Sequence, residues 1–185
     1  MTRMTRQAPM TTTRTLIRTA SVLALGLALG ACVSTTPPVK VPVDTTTPAQ
    51  RMAAVEATAG NDAKELDVQP LRDAGVEDLR VAAKAKRQAG DLAGAGAALD
   101  EALKISEGDP SILQERAEIA LLQGDWAQAE AMARKSVALG SKTGPLCRRH
   151  WATIEQAQLA RGQKENAASA HAQLEGCTVP GIKRY

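Results

Sequence analysis

Apolar side chains recur at helical spacing in two consecutive segments of residues 109–139. The two stripes are Leu113, Ala117, Ala120 and Leu121, then Trp126, Ala129, Ala133 and Val137. Asp109 and Pro110 favour the start of a helix, and Gly124 favours its end. Asp125 follows at once as the cap of a second helix. This pattern predicts two antiparallel helices joined by a tight turn.

The same helix–turn–helix pattern occurs on both sides of this segment. Gly90 lies 34 residues before Gly124, and Gly162 lies 38 residues after it. The four additional residues fit the loop 140–144. The aligned positions after the turns hold Ala95, Ala129 and Ala167, and two of the turns are followed by the bulky Leu92 and Trp126. A single hairpin leaves its apolar stripe exposed, so we predict that the hairpins stack on one another.

A two-helix unit with a 34-residue period resembles the tetratricopeptide repeat. The resemblance is carried by the turn glycines, by the aligned residues above, and by Leu79, Leu113 and Trp151 early in each first helix. It covers residues 76–177 and is weakest in the third unit, where Lys164 and His171 replace apolar residues. It implies an all-α fold: a short solenoid of about three antiparallel helix hairpins. In this family the first helix of each unit lines a concave face, which usually holds an extended peptide or a partner's helix.

By this register we predict a partner-binding surface on the concave face. The predicted binding residues are Arg80, Lys84, Arg87, Gln114, Glu118, Arg149 and Gln156, with Leu121 and Ala152 between them. The alternative is that the basic residues of the first unit, Lys84, Lys86 and Arg87, form only a solvated helix face. The carboxylate-clamp pattern of the family cannot be matched here.

The first residues are typical of an export signal. Arg3, Arg6, Arg14 and Arg18 precede an apolar run at residues 20–29, which is shorter than the roughly 20 residues that span a bilayer. The run ends in Leu29, Gly30, Ala31 and Cys32, which resembles the lipobox of bacterial lipoproteins. The resemblance implies that residues 1–31 are a lipoprotein signal peptide, that the Cys32 thiol is alkylated with diacylglycerol, and that the new amine is acylated. The alternative is an ordinary signal peptide cleaved near Ala31, and Met4 or Met10 is an alternative start.

Removing this leader changes the charge balance of the chain. The leader holds four of the 23 basic residues and none of the 20 acidic ones, so the remainder has 19 basic residues and a net charge near zero. No nucleic-acid partner is therefore predicted from the charge. Residues 32–50 carry the lipid anchor and a Pro/Thr-rich stretch that is typical of a disordered tether.

Residues 51–75 are predicted to contain a short capping helix and a connector. Met52, Val55 and Ala59 would face inward and cover the open end of the first hairpin. Residues 178–185 form a C-terminal tail.

Cys147 falls at the start of the third unit's first helix, and Cys177 falls just past the end of its second. These two ends are neighbours in an antiparallel hairpin, so we predict a disulfide, which an exported protein would retain. One alternative is a metal site with His150 and His171, since Cys-x-x-His has ligand spacing. Two free thiols are the other alternative. His171 lies about 9 Å along a helix from Cys177, which argues against four converging ligands.

No Ser/His/Asp or Cys/His arrangement has catalytic spacing, and the chain has two histidines. We expect His150 at the surface beside Arg148 and Arg149, and His171 at a hairpin seam. The sequence therefore predicts a protein that is not an enzyme and that has no cofactor, metal or small-molecule substrate.

These expectations define a lipid-anchored interaction module of the bacterial outer membrane, facing the periplasm. Its partner would be an envelope protein, and the module would serve as an adaptor or scaffold for pilus, secretion or cell-wall machinery. The alternatives are a regulatory subunit of a periplasmic enzyme and a structural tether between outer membrane and cell wall.

Overall fold

The computed structural model of the chain describes residues 44–58, residue 60 and residues 73–178. These residues form helices and no strands. The helices are α1 (Pro48–Thr58), α2 (Ala74–Gln88), α3 (Leu92–Ile105), α4 (Pro110–Gln123), α5 (Trp126–Leu139), α6 (Gly144–Ala160) and α7 (Lys164–Gly176). The predicted signal peptide, Cys32, most of the tether, Ala59 and most of the tail lie outside the described residues.

Helices α2 to α7 form three consecutive hairpins, which confirms the predicted all-α, repeat-like fold. The pairs are α2 with α3, α4 with α5, and α6 with α7. Each turn contains one of the three aligned glycines, and their φ angles are +81° at Gly90, +77° at Gly124 and +71° at Gly162. This left-handed conformation strains any residue with a Cβ, so the glycines allow each chain reversal.

Aspartate side chains cap the second helix of the first two hairpins at the same position. Asp91 accepts a hydrogen bond from the backbone N–H of Gly94 at 2.8 Å, and Asp125 accepts one from Gln128 at 3.0 Å. The third hairpin lacks this support, because Gln163 makes no side-chain cap. Local capping therefore holds two hairpins, and the third depends on other contacts.

Small residues bring the helices of each hairpin close together. Ala95 and Ala129 are fully buried, and Ala167 is 2% exposed, in agreement with their aligned positions after the turns. Buried apolar clusters then join neighbouring hairpins. One of them combines Ala117 of α4 and Ala133 of α5 with Ile154 of α6.

Cys147 and Cys177, for which the sequence predicts a disulfide, are joined in the structure with an S–S distance of 1.99 Å and a Cα–Cα distance of 5.7 Å. The bond links the start of α6 to the residue after α7. Beside it, the backbone N–H of Gly144 donates to the carbonyl of Cys177 at 2.9 Å. The third hairpin is therefore closed covalently at its open end. Among the residues that the structure describes, no cluster of His, Cys, Asp and Glu is arranged to hold a metal.

Helix α1 does not cover the open end of the first hairpin, and that expectation is wrong. It begins at Pro48 and packs against α4 and α6, the first helices of the second and third units. Thr47 and Gln50 start it with a reciprocal capping box: Gln50 Oε1 accepts from the Thr47 N–H at 2.8 Å, and Thr47 Oγ1 accepts from the Gln50 N–H at 3.2 Å. Helix α1 therefore lies on the concave side of the repeat stack.

Candidate interaction site on the concave face

The apolar stripe of α1 is buried on the concave face. Met52 is 2% exposed and Val55 is fully buried. They belong to one apolar cluster with Ala120 and Leu121 of α4 and Ala152 of α6. We call the surface beneath α1 the α1 seat; it consists of Ala120, Leu121, Trp126, Ala152 and Gln156. Two predicted concave residues, Leu121 and Ala152, are therefore covered by the chain itself.

Arg51 fixes α1 to this seat through its guanidinium group, although the side chain is almost fully buried. Its Nη1 donates to the backbone carbonyl of Gln156 at 3.2 Å and to Gln156 Oε1 at 3.3 Å. The guanidinium carbon lies 5.6 Å from the ring centroid of Trp126, a cation–π distance. Asp44 forms an ion pair with it. Gln156, a predicted partner-binding residue, is thus already engaged.

The carboxyl end of α1 is held by two further contacts. Arg148 Nε donates to the backbone carbonyl of Thr58 at 3.0 Å. Glu56 forms an ion pair with Arg87 of α2. Arg87 also lines the adjoining part of the concave face, which α1 leaves uncovered. Helix α1 therefore forms one border of this open part.

A cavity of about 420 Å³ occupies this open part. It is lined by Glu77, Arg80, Val81, Ala83, Lys84, Arg87, Leu99, Glu115, Glu118, Ile119 and Arg149. Five of the predicted partner-binding residues lie here, namely Arg80, Lys84, Arg87, Glu118 and Arg149. The lining combines apolar side chains with charged side chains of both signs, so the cavity suits a ligand with an apolar body and a charged group.

Most of the charges in the cavity wall already neutralise one another. Arg80 pairs with Glu115 and, at 2.8 Å, with Glu77; its hydrogen bonds to the Glu115 carboxylate are the main cause that raises the pKa of Arg80. Glu118 pairs with Arg149 and lies 3.8 Å from Arg87. Lys84 is exposed and forms no ion pair with any residue that the structure describes. Lys84 is therefore the wall cation best placed to meet an anionic group of a partner.

A buried polar network lies behind the cavity wall. Gln114, predicted to bind a partner, is fully buried, and this expectation is wrong. Its Nε2 donates to Glu118 Oε1 at 2.9 Å and to Thr153 Oγ1 at 2.8 Å. Burial raises the pKa of Glu118, against the opposing effects of Arg149 and Gln114. Gln114 therefore positions Glu118 in the wall and does not present a binding surface.

His150 does not lie at the surface as expected, whereas His171 lies at the seam between α6 and α7 as expected. His150 is fully buried, and desolvation lowers its pKa to about 4, helped by the nearby charge of Arg149. His171 is exposed and lies 3.2 Å from a carboxylate oxygen of Glu155, which raises the pKa of His171. The two histidine side chains therefore differ in exposure: His150 is buried and His171 is exposed.

Sequence reasoning missed the residues that hold α1 in place. Arg51 and Trp126 lie 75 residues apart in the chain, and Arg51 and Gln156 lie 105 apart. The one local signal was Thr47-x-x-Gln50, a capping box that marks the true start of the helix. The motif does not indicate which surface the helix packs against.

Together these features define an all-α domain of stacked helix hairpins with a charged concave cavity. No known family profile matches the sequence, and no curated protein matches it either. The resemblance to the tetratricopeptide repeat therefore stays a prediction. Within the described residues, no helix is long and apolar enough to cross a membrane.

Among solved structures, the fold is similar to the globular C-terminal domain of P. aeruginosa LpoP, with a TM-score of 0.54. The two sequences are 31% identical, and the match covers 57% of this chain and 99% of that domain. At this identity and coverage, the chain belongs to the same family as the LpoP C-terminal domain.

Proposed function

We propose that this chain is a lipid-anchored protein-interaction module of the cell envelope and that it uses the cavity on its concave face to bind a protein partner. The proposal rests above all on the 420 Å³ cavity, whose lining combines apolar side chains with charged ones, among them Lys84, which forms no ion pair with the described residues. Kinship with the globular C-terminal domain of LpoP supports it, because the matched part of this chain also forms a globular helical domain. The tetratricopeptide-like register supports the choice of the concave face.

The proposed location is the outer membrane, with the domain facing the periplasm. The lipobox ending at Cys32 supports the lipid anchor, and the Cys147–Cys177 disulfide fits an oxidising compartment. Val33 follows Cys32 in place of the aspartate that retains such proteins in the inner membrane of enteric-type bacteria. Cys32→Ser should release the protein from membranes or leave it unprocessed. Unchanged mass and membrane fractionation would contradict lipidation.

The proposed role is non-catalytic binding of a protein at the cavity. Site-specific crosslinking in cells tests this binding. A photo-crosslinking residue at position 84 should capture a protein partner, whereas one at Lys135 on α5 should not. Lys135 is a matched control because it is also an exposed helix lysine and lies outside the cavity. Lys84→Glu should weaken the association, and Lys135→Glu should leave it unchanged. Equal effects at the two positions would contradict the use of the cavity.

The identity of the crosslinked partner separates the possible roles. A subunit of a pilus, secretion or cell-wall assembly favours an adaptor. A single enzyme in stoichiometric amount favours a regulatory subunit, the main alternative. Recovery of cell-wall material alone would indicate a structural tether and would reject the interaction module.

A further inference from the structure

Helix α1 is packed as a bound ligand would be. It is connected to α2 through residues 59–73, yet it packs against α4 and α6, which come later in the chain. It has no counterpart in the three repeat units. From this arrangement we infer that the α1 seat is a helix-binding site, that α1 is its resident occupant, and that a partner's helix of the same chemistry displaces α1. This inference rests on the proposed function.

The seat belongs to the hairpins and does not depend on α1. Ala120 and Leu121 come from α4, Trp126 opens α5, and Ala152 and Gln156 come from α6. A separate apolar cluster joins α4, α5, α6 and α7 without any residue of α1. The disulfide also fixes the third hairpin. The hairpins therefore keep their mutual packing when α1 leaves.

The chemistry of the seat selects a particular kind of helix. The face of Trp126 and the two oxygens of Gln156 attract a cation, and they receive Arg51. The adjoining alanines leave a shallow apolar channel that receives Met52 and Val55. A fitting helix carries arginine at one position and apolar residues one and four positions later. An acidic residue in place of the arginine would face only oxygen atoms and a π-electron cloud.

Displacement of α1 would also change the cavity. Glu56 would leave Arg87, whose guanidinium lines the cavity wall. Arg87 would then keep only its 3.8 Å contact with Glu118 and could also meet an anionic group beside Lys84. Occupation of the seat by a partner helix is thus coupled to the charge that the cavity presents.

A labelled peptide of residues 44–58 tests the inference with the whole chain. Its binding is measured by fluorescence anisotropy to the wild type and to Met52→Asp/Val55→Asp, which loosens the resident helix and leaves the seat intact. The peptide should bind the variant at least about tenfold more tightly, because the resident helix no longer competes. The same peptide with Arg51→Glu should lose this binding. Equal affinity for the two proteins, or full binding of the Arg51→Glu peptide, would overturn the inference.

Ala53→Asp/Ala57→Asp is the matched control, since both alanines are exposed on α1 and the added charge is the same. The Ala53→Asp/Ala57→Asp variant should bind the peptide as weakly as the wild type does. If Met52→Asp/Val55→Asp does not keep the helical circular dichroism of the wild type, hydrogen exchange of the wild type tests the inference instead. Amides of α1 should exchange at least tenfold faster than those of α4; exchange at one common rate would overturn the inference. Neither measurement uses the envelope partner, so each is independent of crosslinking at position 84.

Discussion

Nδ1 of His150 on α6 lies 2.8 Å from Oε1 of Gln114 on α4, and both side chains are fully buried. The amide nitrogen of Gln114 faces the carboxylate of Glu118, so its oxygen faces His150 and accepts a hydrogen bond there. Nδ1 therefore carries the hydrogen of a neutral imidazole. Nε2 lies 3.1 Å from Ser136 Oγ, whose hydroxyl donates to the backbone carbonyl of Pro110. Burial lowers the pKa of His150 to about 4, so the contact between α4 and α6 holds an uncharged histidine at neutral pH.

This buried, uncharged histidine makes the domain sensitive to acid. The pKa of His150 is about 4 in the folded protein and about 6.5 when unfolded, so the unfolded chain takes up the proton first. The free energy of unfolding should fall as the pH is lowered from 6.5 towards 4, by at most about 3 kcal/mol. Urea unfolding at a series of pH values measures it.

Comparison with His150→Gln isolates this effect, since the loss between pH 6.5 and 4 should be much smaller in that variant. The comparison is needed because Glu118, with its raised pKa, contributes the opposite slope near the lower end of this range. His171→Gln is the control. Glu155 raises the pKa of His171, so its contribution is present in acid and is lost as the pH rises. His171→Gln should therefore keep the acid loss, and an equal loss in all three proteins would exclude His150 as its cause.

Reduction of the disulfide should destabilise the domain. Cys147 and Cys177 are 30 residues apart, and the chain-entropy model gives a stabilisation of about 3–4 kcal/mol for a loop of that size. Cys147→Ala/Cys177→Ala should lower the melting temperature to the value of the reduced wild type. An unfolded, unreduced sample should show no reactive thiol at these two positions. Two titratable thiols there would contradict the bond.

The turn glycines should be less replaceable than a helical glycine. Gly90 has a φ of +81°, and a Cβ there would meet no atom within 4 Å. Gly90→Ala should therefore cost about 1 kcal/mol through backbone strain alone. Gly176→Ala is the matched control, because this helical position is also open. It should be neutral or stabilising, and equal losses in the two variants would contradict the strain argument.

Trp126 supports two elements at once. It is partly buried against the cluster that includes Ala129 and Val55, and it lies under Arg51. Trp126→Ala should cost about 2 kcal/mol, less than a fully buried tryptophan, and should speed hydrogen exchange in α1. Trp126→Leu should retain most of the stability but still loosen α1, because it removes the cation–π contact. An unchanged melting temperature in Trp126→Ala would show that this packing is wrong.

Removal of Arg149 should leave the Glu118 carboxylate without its close partner. The Glu118 side chain is 2% exposed, so Arg149→Met should cost about 3 kcal/mol. Adding Glu118→Gln should recover much of this loss, because the amide carries no charge. Arg134→Met is the control: it removes an exposed arginine from Glu130, which keeps Arg161 and Gln158 as partners, and should cost less than about 1 kcal/mol. Additive losses in a double-mutant cycle would contradict the coupling.

Local sequence patterns were sufficient to predict the hairpins. Helical periodicity, aspartate caps and turn glycines act over a few residues, so they are visible without knowledge of the fold. The same register placed Arg80, Lys84 and Arg149 around one surface, because residues on the first helices of stacked units share a face. These features needed no contact between distant parts of the chain.

Local sequence patterns could not predict which helix residues are buried. His150 follows Arg148 and Arg149, which suggested an exposed segment, but successive helix residues point about 100° apart. His150 therefore faces α4 and α5 while Arg149 reaches the cavity. Gln114 was assigned correctly to the first helix of its unit, yet α6 covers it. The position of α1 depends on Gln156, 105 residues away from Arg51, and no local pattern contains that information.

The placement of α1 also determines how the domain bears mechanical load. Every residue before Asp44 is connected to the hairpins by way of α1, so a pull on the N-terminal segment acts first on Arg51, Met52 and Val55. These contacts lie on the side of the stack, between its second and third units, and not at its end. The pull would detach one short helix before any hairpin is strained. The three hairpins would thus stay folded under a force that has already extended the connection between the N-terminal segment and the hairpins.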